Sequence, residues 1–158
     1  KFPEITVRGK KGQKITLLVS ESLTDEGACN QRQTGRQHYY EYTLKGEGVE
    51  TWHPRFSYYG FRYIQVEGAV LKGQKNPFRL PVIQKIQSCF VYNSAPKIST
   101  FECSNRIFND AHRLIEKAVR SNMQSVFTDC PHREKLGWLE QVHLNGPGLL
   151  YNYDLTAY

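Results

Sequence analysis

The hydrophobic period of this chain changes once, and that change narrows the folds open to it. Up to residue 92 apolar side chains largely alternate with polar ones, whereas from Ile107 onward they fall at one-, three- and four-residue steps. A spacing of two puts successive side chains on opposite faces of a strand, and steps of three and four trace one side of a helix. Five or six strands in series with no helix between them predict an antiparallel β-sandwich, and the helical pattern after it predicts the opening of an all-α domain. The sandwich is assigned to residues 1–97 and the helical domain to residues 98–158.

Within the first part, residues 4–8 and 14–20 read as strands joined by a turn at 9–13, and a hairpin is the economical pairing. Residues 22–37 are polar and carry Gly27 and Gly35, so they read as a long surface loop whose Asn30, Gln31, Arg32 and Gln33 could touch a ligand. Tyr40, Tyr42 and Leu44 mark a half-buried strand, closed by a turn with Gly46 and Gly48; residues 49–52 then run out to Pro54, which ends ladder pairing. Residues 56–68 are dense in aromatics and predict a central strand with cross-strand aromatic pairs, Gly60 marking a bulge or a close backbone approach. The alternative use of these rings is a platform of Trp52, Tyr58, Tyr59 and Phe61, which would make the protein a carbohydrate-binding sandwich without catalysis. Residues 71–81 form a connector, 82–92 a last strand, and 93–99 the linker out of the sandwich.

Ile107, Phe108, Ala111, Leu114, Ile115, Ala118, Val119 and Met123 form the stripe of an amphipathic helix of about five turns, capped by Ser104 or Asn105. Arg106, Asp110, Arg113, Glu116, Lys117 and Arg120 are expected on its wet side. A second helical pattern over 142–158 is interrupted by Gly146-Pro147-Gly148. Between the two helices lies Thr128-Asp129-Cys130-Pro131-His132-Arg133-Glu134-Lys135-Leu136-Gly137-Trp138-Leu139-Glu140-Gln141. These are the parts of a sugar site. The carboxyl groups of Asp129, Glu134 and Glu140 can move protons or grip hydroxyls, Arg133 and Gln141 add donors, and Trp138 offers a flat apolar face to a pyranose ring. If this stretch is helical, Glu134, Trp138 and Gln141 share one face, although Gly137 weakens such a helix. A purely structural reading has Asp129 capping a helix that opens at Pro131, with Glu134 near the positive end of its dipole.

Composition closes off several other classes. At 39% apolar and 13% aromatic, with ten Tyr, the 158-residue chain is a folded, contact-making protein rather than a disordered one. Its 21 basic and 15 acidic residues leave a charge of +6, but only Lys10, Lys11 and Lys14 are bunched, so a nucleic-acid partner is not indicated. No run is long and apolar enough to span a membrane and no leader pattern opens the chain. The chain starts at Lys1 without a methionine and stops at Tyr158 inside an apolar pattern, so both ends read as cuts in a longer polypeptide. Cys29, Cys89, Cys103 and Cys130 lack Cys-x-x-Cys spacing and do not make a disulfide framework. A zinc set of Cys130, His132, His143 and His112 can be drawn, but the spacing does not support it; no metal or other cofactor is assigned, and calcium is not indicated. The compartment stays open, leaning toward the periplasm or secretion.

Two stretches resemble one known family. Asp129-Cys130-Pro131, one residue, Arg133-Glu134, and then Leu136-Gly137-Trp138 resemble the signature at the mouth of the helical barrel in bacterial α-L-rhamnosidases of glycoside hydrolase family 78. Pro54-Arg55-Phe56 followed by Gly60-Phe61-Arg62-Tyr63 resembles the β-sandwich that precedes that barrel, so the likeness runs from Tyr39 into the barrel's entry. It implies a sandwich followed by an (α/α)6 barrel, of which only the first helix and the start of the second lie here. It further implies hydrolysis of terminal α-L-rhamnosyl residues of glycans or glycosides with inversion, Glu134 being the acid and Asp129, Arg133 and Trp138 holding the sugar. A cation beside a general acid works against it, so Trp138 and the barrel wall would have to exclude water, or Arg133 would turn toward Asp129.

This chain departs from the family pattern in two ways. Gln141 stands where many relatives have an acidic residue, and Glu140 beside it, six positions from Glu134, would face elsewhere on a helix. The water-activating glutamate of the family lies downstream of Tyr158. The chain alone is therefore expected to be inactive, its partners being a rhamnose-containing glycoside and the missing remainder of the barrel.

Overall fold

A computed structural model describes residues 1–32, 35 and 37–158 and divides them into two units, Lys1–Phe90 and Val91–Tyr158. The first unit is built from β1 (Phe2–Arg8), β2 (Lys14–Ser20), β3 (Tyr39–Thr43), β4 (Val49–Trp52), β5 (Tyr63–Glu67), β6 (Val70–Leu71) and β7 (Val82–Cys89). One sheet has the order β4-β1-β7-β6 and the other β3-β2-β5; every ladder is antiparallel except the two-residue β6–β7 contact. Alternation explains the core. Ile5 and Val7 point inward from β1, Ile15, Leu17 and Val19 from β2, Tyr40 from β3 and Ile83 from β7, and together with Leu44 and Phe61 they form one buried cluster. In β7 the register slips between its pairings with Thr6 and Val7, so Gln84 is the extra residue and both Ile83 and Ile86 can lean on the core.

Two expectations for this unit are corrected. β1 and β2 are not a hairpin, because they lie in different sheets. The turn between them bonds elsewhere: Gly12 N donates to Leu44 O at 2.9 Å and Leu44 N donates to Gln13 O at 2.9 Å. Alternation tells which side of a strand is buried; it does not tell which strand is its neighbour. Gly9 shows how tightly this crossing is packed, since a Cβ there would lie 2.6 Å from Leu44 Cδ2.

The aromatic run at 56–68 is not a central strand either. Only Tyr63–Glu67 is strand, and it forms the edge of the three-stranded sheet beside β2. Phe56 sits at φ 54°, a left-handed conformation that no ladder continues, and Phe61 plugs the core from irregular backbone. Of the aromatics ahead of β5, Phe61 alone is buried, while Phe56 is fully exposed, so aromatic density here marks neither a strand nor a uniformly buried segment.

The remaining loops are self-contained. Glu50 is buried at the Leu44–Gly48 turn, where its carboxylate accepts bonds from Tyr42 Oη at 2.5 Å, Lys45 N at 3.0 Å and Gly46 N at 2.8 Å. Of the polar quartet in the long loop, Gln31 bridges Val19 O and His38 N, Asn30 bonds Ser22 O and Arg32 N, and Gln33 lies outside the described residues. Tyr59 stacks on His38 with centroids 4.2 Å apart, Trp52 stacks on Tyr42 at 5.0 Å, and Phe61 is buried. Trp52, Tyr59 and Phe61 are thus engaged in packing within the sandwich, and Phe61 is closed to a ligand.

The second unit contains α1 (Arg106–Asn122) and α2 (Leu139–Asn152). Asn105 caps α1, its side chain accepting from Ile107 N at 2.9 Å. α2 runs through Gly146-Pro147-Gly148 rather than breaking there, and forgoes the bond that Pro147 cannot donate. Residues 93–99 are an extended strap on this unit: Asn93 N donates to Met123 O, Ile98 N to Asn152 O, and Lys97 bridges Tyr153. Met123, Phe127, Leu149 and Tyr153 make its small core.

Candidate active site

The motif is a closed loop, and its stem grows from the end of α1. The last carbonyls of a helix lack partners inside it. Here buried Thr128 turns back to Asn122 O, giving both its N–H at 3.0 Å and its hydroxyl at 3.2 Å. One residue later the neck closes. Asp129 N donates to Leu136 O at 3.0 Å, and Leu136 N donates to Asp129 Oδ1 at 3.0 Å. Inside the loop Glu134 N donates to the Cys130 thiol sulfur at 3.3 Å, and Lys135 adopts φ 55°. Gly137 then passes so close to Val126 that a Cβ on it would lie 2.9 Å from Val126 Cγ2. Trp138, in extended conformation, starts α2.

This arrangement revises the expected geometry. Residues 131–134 are turns and the helix begins at Leu139, so Glu134, Trp138 and Gln141 do not share a helix face. For the same reason Glu134 and Glu140 cannot be compared as opposite faces of one helix. Nor does Asp129 cap a helix at Pro131; its carboxylate bonds across the loop neck instead. Two elements hold the named residues. Arg133 and Glu134 are exposed on the loop, while Trp138, 52% exposed, Glu140 and half-buried Gln141 belong to the start of α2. Among the described residues no ion pair joins Arg133 to Asp129 or Glu134, and Gln141 Oε1 is buried without a hydrogen-bond partner.

Burial alone would push the Asp129 carboxyl up, and it is the largest single influence. Bonds from the Leu136 and Cys130 amides and a hydrogen bond shared with the Glu134 side chain together outweigh it and hold Asp129 below the ordinary carboxylate value. Thr128, Cys130, Leu136 and Gly137 are the functional framework that residue chemistry alone did not single out. Gly137 was the available signal: a glycine between Leu136 and Trp138 marks a close approach as readily as a weak helix.

The other polar cluster of this unit is structural. A cleft of about 530 Å³ along α1 is lined by Lys97, Arg113, Lys117 and Arg120, but Lys97 pairs with Glu116, Arg113 with Asp110, and Arg120 lies 3.9 Å over the Tyr92 ring. His112 contacts Glu116 at 3.3 Å, and among the described residues no group of three or more His, Cys, Asp and Glu could hold a metal, so the zinc set is not assembled.

Residues 1–92 match the bacterial alpha-L-rhamnosidase concanavalin-like domain, and residues 96–158 match the bacterial alpha-L-rhamnosidase 6 hairpin glycosidase domain. An alpha-L-rhamnosidase of Formosa agariphila is 34% identical, the match covering 96% of this chain and 16% of that protein. One of Streptomyces avermitilis is 32% identical, over 98% of this chain and 14% of the relative. Among solved structures, the Streptomyces avermitilis alpha-L-rhamnosidase complexed with L-rhamnose matches with a TM-score of 0.73 and 31% identity over 96% of this chain and 14% of that one. The native rhamnosidase from Aspergillus terreus matches with a TM-score of 0.76 and 34% identity, over 97% and 17%. The chain thus spans 14–17% of the length of these proteins.

Proposed function

The chain belongs to the bacterial α-L-rhamnosidase family, and from that premise we propose that it carries the acid half of an α-L-rhamnosidase active site. The parent enzyme removes terminal α-L-rhamnosyl residues from glycans or glycosides with inversion, which takes one carboxylic acid to protonate the departing oxygen and a carboxylate opposite to activate water. Glu134 is the acid. The base belongs to polypeptide outside these 158 residues. Arg133 and Asp129 hold rhamnose hydroxyls, Trp138 covers the apolar face of the ring, and Gln141 with neighbouring Glu140 completes the sugar contacts. The boundary expected at 97/98 separates the sandwich domain from the opening of the catalytic domain, with the strap that leads to it, residues 93–97, bonded to the catalytic side.

One observation supports this most. Arg133 and Glu134 stand exposed on a loop whose two ends are pinned, directly ahead of a half-exposed tryptophan. A general acid needs access to its substrate and a fixed position, and this loop provides both.

The proposal is tested by Glu134→Gln in the full-length enzyme. Turnover of an aryl α-L-rhamnoside is expected to fall by about 10²–10⁴-fold, the usual worth of a general acid, while rhamnose binding by calorimetry is retained. Unchanged turnover would remove Glu134 from the mechanism.

A further inference from the structure

We infer that Asp129, besides the sugar contact proposed above, is a positioning residue whose Oδ1 locks the 129–136 loop and so sets where Arg133 and Glu134 stand. Its catalytic consequence rests on the role of Glu134 proposed above; the lock itself is a property of this chain.

Inside the loop Glu134 N is tied to the Cys130 sulfur, and the Glu134 side chain and Cys130 N–H both bond the Asp129 carboxylate, so Asp129 is the residue on which the loop's contacts converge. The loop contains no helix or strand, and Arg133, Glu134 and Leu136 are all exposed or nearly so, which leaves its far end without a deeply buried anchor. Its two ends are joined at the neck. Two hydrogen bonds cross there, Asp129 N to Leu136 O and Leu136 N to Asp129 Oδ1, each 3.0 Å. Both sides of the neck are fixed from outside the loop, by Thr128 on Asn122 and by Gly137 against Val126. The backbone bond alone could be made by any residue with an N–H at this position. The second bond requires a side-chain oxygen at the reach of aspartate or asparagine.

That second bond matters because of Lys135. A lysine at φ 55° is held in a region that L-residues avoid, and such a conformation persists only where neighbours over-determine it. Lys135 lies between Glu134, tied to Cys130, and Leu136, tied to Asp129. Releasing Leu136 N–H lets Lys135 relax to negative φ, and rotation at that bond swings Glu134 relative to α2 and Trp138. A carboxylate suits this role, since one held below its ordinary pKa stays charged and acceptor-only, the stronger partner for an amide.

A lock and a sugar ligand respond differently to two substitutions. Asp129→Asn keeps an oxygen toward Leu136 N–H, whereas Asp129→Ala removes it. In the 158-residue chain, exchange of the Leu136 amide is expected to quicken by about tenfold or more in Asp129→Ala and to stay within about threefold of wild type in Asp129→Asn, with α1 amides unchanged in both. In the full-length enzyme, Asp129→Ala should lower kcat far more than it raises KM, and Asp129→Asn should recover most of that loss. Equal Leu136 exchange in wild type and Asp129→Ala, with α1 protected, would overturn the lock whatever the enzyme's substrate. Asp129→Asn as damaged as Asp129→Ala, with KM carrying the loss, would overturn its positioning role and leave Asp129 a sugar contact alone. The exchange experiment uses no sugar, so its outcome is independent of the role proposed for Glu134.

Discussion

Replacing Tyr42 with Phe deletes one oxygen and tests how the sandwich holds its β3–β4 turn. Tyr42 Oη donates to Glu50 Oε2 at 2.5 Å, and that bond is the chief reason the Glu50 carboxyl sits below its ordinary value of 4.5; burial opposes it, and the Lys45 and Gly46 amides add to it. Burial, then the hydrogen bond to Glu50, push the phenol up to about 12, so Tyr42 remains a donor throughout the working range. A hydrogen bond to a charged group contributes about 1.5–3 kcal/mol, and because Tyr42 is only half-buried, water recovers part of it, leaving an expected loss of about 1.5 kcal/mol at pH 7. With a urea slope of about 1–3 kcal/mol/M the midpoint should fall by about 0.5–1.5 M. Trp52 stacks on Tyr42 and reports this unit by fluorescence, best in a Trp138→Phe background that silences the other tryptophan. The sign with pH follows from the depressed carboxyl. Its contribution is complete above the unfolded value and disappears as pH falls through the lower folded one, so the gap between variant and wild type should shrink as the medium is taken well below 4.5. A deficit that is the same at low and neutral pH, or no deficit at neutral pH, would refute the charge-assisted bond.

The second unit supplies two more expected outcomes. Gly137→Ala forces a methyl to within 2.9 Å of Val126 Cγ2, and valine has little freedom to turn away; the substitution should cost about 1–3 kcal/mol in thermal unfolding, and Val126→Ala in the same chain should relieve most of it. The 158-residue chain by itself should give no detectable hydrolysis of an aryl α-L-rhamnoside and should self-associate in sedimentation, while Leu114→Lys with Ile115→Lys, at sites 65% and 61% exposed, should return it to monomer with its helix content kept.

What could be read from residues alone depended on how local the cause was. β1 to β4 and the start of β7 follow from side-chain period, and Asn105, one of the two cap candidates, from cap chemistry; these lie within a residue or two of where those rules put them, whereas the same rules do not give the short β6. Pairing is not local. β1 and β2 share a turn yet belong to different sheets, because the turn's polar groups are claimed by Leu44, just past β3. The aromatic run ahead of β5 misleads for a related reason: strand formers are also core fillers, and Phe61 is buried from irregular backbone. In the candidate site, the residues that touch sugar in the proposal are chemically conspicuous, whereas those that shape the loop are a threonine, a leucine amide, a thiol and a glycine. Their role lies in backbone geometry, which residue type does not encode.

α1 is only partly covered. Its apolar stripe calls for a cover, and in this chain most of it is bare, as expected of a barrel helix without its neighbours: no residue of the helix is buried, and Ile107 and Leu114 are 75% and 65% exposed. The strap covers part of the polar side, where Lys97 pairs with Glu116 and Arg120 lies over Tyr92, while the stripe is packed at its C-terminal end, Val119 beside Met123. Glu116 and Arg120, expected in solvent, are half-buried, because the strap and Tyr92 lie on their face. The helix is thus gripped on its polar side by its own chain and offers most of its apolar side outward. A single amphipathic helix gains most from burying its apolar side, so the arrangement makes sense as the first layer of a larger helical body, with α2 and the loop between them already fixed before further helices close over Leu114 and Ile115. The site loop, hung from the last carbonyl of the same helix through Thr128, would then inherit whatever rigidity that closure adds.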